Sequence, residues 1–106
     1  MVSIPARQRK SPPLHPGAVL ADIFEEQAIS LRTAAGETGI SKSVLDRVLK
    51  GQSQVTASTA VLLSTYLGNP DSAKLWLDMQ RDYDLWHARA DLASKCKKIT
   101  PLKVKR

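Results

Sequence analysis

The stretch GISKSVLDRVLKG, residues 39–51, sorts its side chains onto two opposite faces. At about 100° per residue from Ser41, Val44, Leu45, Val48 and Leu49 fall on one apolar arc, and Lys42, Ser43, Asp46, Arg47 and Lys50 fall on the other. Ser41 stands where an N-cap hydroxyl satisfies an orphan backbone N–H, and Gly51 stands where a left-handed residue closes the last turn. An ordinary surface helix also has this form, so the neighbouring segments decide what it is.

Just before it, Ser30 is a second N-cap candidate, and the helix it opens ends at Gly39 with Ala34, Ala35 and Thr38 as a small-residue inner face. Only Gly39, Ile40 and Ser41 join the two helices, which leaves room for nothing but a tight turn. This spacing predicts a helix-turn-helix. Its second helix has the apolar inner face that seats it and the polar outer face whose first turns reach base edges.

Helical spacing recurs in three further segments, and no alternating strand pattern with hairpin turns is visible. The first helix is expected from about Pro16 to Ala28, with Val19, Leu20, Ile23 and Phe24 on one face. A fourth follows Thr56, with Ala60, Leu63, Tyr66 and Leu67 periodic before the turn GNPD at 68–71. A long fifth is expected from near Asp71 to about Ala93, carrying Leu75, Trp76, Met79, Tyr83, Trp86 and Ala90 at three- and four-residue steps. The prediction is an all-α, compact five-helix domain over 16–93, with a long C-terminal helix. Flexible basic tails are expected at 1–15, which is also Pro-rich, and at 94–106.

With 106 residues the chain is long enough to bury one core without disulfides or metal. Its formal charge of +6 comes from the tails, which hold nine of the sixteen Lys and Arg, while residues 17–94 carry a net −3. Within that acidic domain, residues 31–53 are locally basic through Arg32, Lys42, Arg47 and Lys50. Such a patch suits an anionic partner. Cys96 is the only cysteine, which excludes an internal disulfide and fits a reducing compartment. The N-terminus has no apolar run that could serve as a signal-peptide core, and no stretch of roughly 20 apolar residues is present. A cytoplasmic protein without a membrane partner is expected. No Ser/His/Asp or Cys/His set, carboxylate pair or Gly-rich phosphate loop occurs, and His15, His87 and Cys96 share no metal-ligand spacing. Neither catalysis nor a metal or cofactor is expected.

HPGAVL (15–20), ISLRTAAGETGISKSVLDRVLKG (29–51), VTASTAVLLSTYLGNP (55–70) and LWLDMQRDYDL (75–85) resemble, in order and spacing, the HigA-type antitoxins of bacterial toxin–antitoxin modules. The most specific pieces are HPG, the T-A-x-T-A that opens the fourth helix, and L-W-L-x-M-Q-x-x-Y-D-L on the fifth. The resemblance implies a Cro/repressor-like, XRE-family fold that represses its own operon and neutralises a cognate HigB/RelE-like, mRNA-cleaving toxin.

Carried over by position, Lys42, Ser43, Asp46 and Arg47 face the major groove of a palindromic double-stranded operator, and Ser41, the N-cap, is counted with the DNA-binding residues. Lys50, Gln52 and Ser53 lie toward its backbone. Arg47 and Lys42 can donate to guanine or phosphate, and Asp46 can accept from cytosine N4 or pair at i,i+4 with Lys42 or Lys50. Where relatives place a polar phosphate contact, this chain has Leu31, with Ala34 at a usual Leu position and Gly36 inside the helix. Phosphate contact then falls to Arg32 or Thr33. Tyr83 and Trp86 are assigned to a homodimer or partner contact on the fifth helix. Two alternatives stay open: a toxin-neutralising module without sequence-specific DNA binding, and a stand-alone regulator of phage or mobile-element origin.

Overall fold

The computed structural model describes residues 11–103, so the tail expectations for residues 1–10 and 104–106 lie outside it. Its elements in chain order are α1 (Pro16–Glu26), α2 (Leu31–Thr38), α3 (Lys42–Leu49), α4 (Ala57–Tyr66), a 3-10 turn (Pro70–Ser72), α5 (Ala73–Asp91) and α6 (Ala93–Lys97). No strand occurs among the described residues.

Local chemistry sets the helix ends. Ser30, Ser41 and Thr56 each accept the N–H of the residue three further on, at 3.0, 3.2 and 3.3 Å. Gly39 and Gly51 take positive φ, 78° and 73°, which closes α2 and the turn after α3 as their positions demand. α1 stops earlier than its periodicity suggests. Ala28 adopts φ 54°, and Ile29 N–H reaches back to the Phe24 carbonyl at 2.8 Å, a Schellman-type closure built on a residue that carries a Cβ. The fifth helix also differs from expectation at both ends. Pro70 starts a 3-10 turn ahead of α5, and α6 occupies part of the stretch expected to be a flexible tail. Helix-favouring Ala and Lys form α6, and Lys95 and Lys97 in its last turn complement the helix dipole.

The core consists of Leu20 and Phe24 from α1, Ala34 from α2, Ile40 from the turn, Leu45 and Val48 from α3, Val55, Ala60 and Leu63 around α4, and Trp76 from α5. Burying a side chain such as Leu45 stabilises by about 1.5–3 kcal/mol. α3 packs on α1 and α2, and α4 packs on α2 and α5. The recognition candidate is thereby seated from behind with its outer face clear.

Candidate nucleic-acid interface

The four apolar positions of α3 all turn inward. Leu45 and Val48 are buried, and Val44 and Leu49 are half-buried. This leaves Ser41, Lys42, Ser43, Arg47 and Lys50 exposed and Asp46 half-exposed on one outward surface. The Ser41 hydroxyl is engaged as the cap, accepting from Val44 N–H at 3.2 Å, so it fixes the start of the helix. Leu31 of α2 joins Lys42, Ser43 and Asp46 around one open hollow of about 440 Å³, which unites the two helices in a single surface.

Asp46 pairs with Lys50 at 3.0 Å, one of its two candidate i,i+4 partners. Both side chains are well exposed, and such a pair contributes only about 0.3–0.5 kcal/mol, so a ligand can separate it at little cost. Arg32 and Thr33 lie exposed at the start of α2. The Thr33 hydroxyl accepts from Ser30 at 2.8 Å and is therefore fixed in place. Gly36 is exposed, with nothing within 4 Å of where a Cβ would sit, so no close neighbour requires a glycine there.

Beyond α3, Gln52 is exposed and Ser53 half-exposed, and both backbone N–H groups donate to the Arg47 carbonyl, at 2.8 and 3.3 Å. The turn carrying them is thus tied to the outward helix. Two residues that the sequence reading did not assign to the site also hold this turn. Gln80 of α5 is buried; its Oε1 accepts the Val55 N–H at 2.8 Å, and its Nε2 donates to Asp84 at 3.0 Å. His15 is buried beside Gly51. The signal available in the sequence was polar residues inside two of the three most specific motifs, HPG and L-W-L-x-M-Q.

The two aromatics assigned to a partner contact part company. Tyr83 does not stand clear of the domain: it meets the His15 ring edge-to-face at 4.9 Å and lies 4.3 Å from His87. The chain entering α1 packs against it, a contact invisible from the fifth helix alone, and like Trp86 it stays half-buried. Trp86 touches His87 at 5.1 Å and stays partly exposed, next to the exposed Leu85. No cluster of potential metal ligands and no helix long and apolar enough to cross a membrane occurs among the described residues.

A helix-turn-helix family model matches residues 20–72, which runs from α1 through the 3-10 turn. Virulence-associated protein I of Dichelobacter nodosus is 34% identical over 94 residues, covering 88% of this chain and 85% of that protein. Antitoxin HigA-1 of Vibrio cholerae is 28% identical over 97 residues, covering 91% of this chain and 90% of that protein. Among solved structures, the antitoxin HigA of Pseudomonas aeruginosa with the higBA promoter superposes with a TM-score of 0.76 at 29% identity, covering 86% of this chain and 99% of that one. The family match spans half the sequence, and the relatives align over nearly all of it, so the chain belongs to the helix-turn-helix family, among its HigA-type antitoxins.

Proposed function

We propose that this antitoxin binds operator DNA through α2 and α3, represses its own toxin–antitoxin operon, and neutralises a cognate HigB/RelE-like, mRNA-cleaving toxin. The observation that carries the reading is the capped, fully seated α3, whose only free surface is Lys42, Ser43, Asp46, Arg47 and Lys50. On DNA, Lys42, Ser43, Asp46 and Arg47 meet base edges, while Arg32, Thr33, Lys50, Gln52 and Ser53 meet the backbone. The helix-turn-helix match and the promoter-bound relative support this.

The protein acts as a homodimer, so that two recognition helices reach successive major grooves of a palindrome. The exposed Leu85 and the partly exposed Trp86 on α5 offer apolar surface for that pairing. The cytoplasm is its site of action.

One observation favours the narrower reading of a toxin neutraliser without operator readout. Half-buried Leu31 stands beside Lys42 and Asp46, where a phosphate contact would be useful. The double substitution Lys42→Ala with Arg47→Ala decides between them. Operator readout predicts a loss of roughly 30- to 20,000-fold in affinity for the upstream duplex, from two base contacts of about 1–3 kcal/mol each, with toxin capture unchanged. Unchanged DNA affinity would leave the narrower reading standing.

A further inference from the structure

His15, Pro16 and Gly17 are all buried, and they occupy a junction of three elements. On α1, His15 Nδ1 accepts the Gly17 N–H at 2.9 Å, which selects the neutral imidazole with its proton on Nε2. Against α3, Gly17 lies so close to the Val48 carbonyl that a Cβ would collide with it. The His15 ring also flanks Gly51, 3.6 Å from where a Cβ on that residue would sit. Against α5, the ring stands 4.9 Å from Tyr83.

Capping alone does not call for histidine, because a short Asn or Ser side chain caps at least as well. The ring adds reach to Gly51 and Tyr83. The segment after α3 is then gripped at both ends, at Gly51 by His15 and at Val55 by Gln80.

We propose that His15 is a positioning residue for DNA binding: its ring wedges between Gly51 and Tyr83 and fixes the Lys50–Ser53 turn in the orientation that meets the phosphate backbone. This rests on the operator-binding reading.

A pH dependence follows. Burial holds the His15 imidazole below its ordinary value of 6.5, opposed by the Asp84 carboxylate and the Ser53 backbone. The charged and titratable groups on the packed stretches are Asp46, Arg47 and Lys50 at the end of α3, and Arg81, Asp82, Tyr83, Asp84 and His87 on α5, while the first turn of α1 has no acidic residue. Protonation at Nδ1 removes the acceptor for Gly17 N–H. Because the folded value is depressed, the neutral ring's contribution is complete above 6.5 and is lost as pH falls through the lower folded value.

The test compares the full chain with His15→Asn, which keeps a capping side chain and removes the ring. Without DNA, the Gln52 and Ser53 amides should exchange roughly tenfold faster in the variant, with the α4 amides unchanged. In anisotropy titrations against the upstream duplex, wild type should weaken about threefold or more between about pH 7.5 and pH 5.5, a step that His15→Asn lacks and His87→Asn keeps. Unchanged exchange at Gln52 and Ser53 in a folded His15→Asn, or a pH step that survives in it, overturns the proposal. If wild type shows no preference for its upstream duplex, the operator reading fails, while the exchange result still decides whether His15 holds the turn. Should His15→Asn not fold, Tyr83→Leu leaves the cap in place and removes the facing ring. It must accelerate the same two amides, and no acceleration there overturns the proposal equally.

Discussion

Two helices of this molecule carry the same kind of pattern and use it differently. In α3 every apolar residue has a neighbour behind it, so the outward side chains are all that remains for a partner. In α5 cover is partial, and the buried positions lie in the first half. Trp76 and Gln80 are buried, whereas Leu75, Leu85 and, just past the helix, Leu92 are 53%, 40% and 45% exposed. A three-and-four periodicity therefore marks a face without saying what covers it.

The largest expected effect lies in the covered half of α5. Trp76→Ala should cost about 3–5 kcal/mol in urea unfolding, because a large buried side chain leaves a cavity that the core cannot close. A loss under about 1 kcal/mol would mean that this half is no better covered than the other. Next comes Gln80→Leu, which strands the buried Val55 N–H and should cost about 1–3 kcal/mol by the same measurement. A neutral result would remove Gln80 as the tie between α5 and the turn after α3.

Smaller effects sharpen the contrast from the side of α3. Gly36→Ala in its partner helix meets nothing within 4 Å and should stabilise by about 0.5–1 kcal/mol, raising Tm. A fall in Tm would show that α2 needs its glycine. Smallest in stability is Leu85→Asp, expected to change unfolding by no more than about 0.5 kcal/mol. It should nevertheless shift the protein toward monomer in sedimentation equilibrium, since the proposed dimer sets that leucine against the second copy. A dimer that survives it would place the pairing surface elsewhere.

α3 was legible because everything that defines it is local: a Ser cap, a Gly stop and an unbroken division of faces within one short stretch. The same locality made Ser30, Gly39 and Thr56 readable as helix boundaries. What escaped depends on contacts between distant segments. Nothing near Tyr83 announces that its ring will meet His15, and a Pro-rich, basic N-terminal stretch has no periodicity that marks Pro13 and His15 as buried. The end of α1 was hidden for another reason: Ala28 takes a left-handed conformation that the chain would more readily give to glycine. Composition misled at Ala93–Lys97, where a run of lysines read as a tail forms a short helix.

The most direct test of operator readout is the affinity of the purified protein for its own upstream duplex against a scrambled duplex of equal length, measured at two salt concentrations by fluorescence anisotropy. Readout through α3 predicts a preference for the native duplex that persists at the higher salt, since base contacts discriminate where counterion release does not. Equal affinity for both duplexes, collapsing together as salt rises, would contradict it and leave only sequence-blind attraction to phosphate.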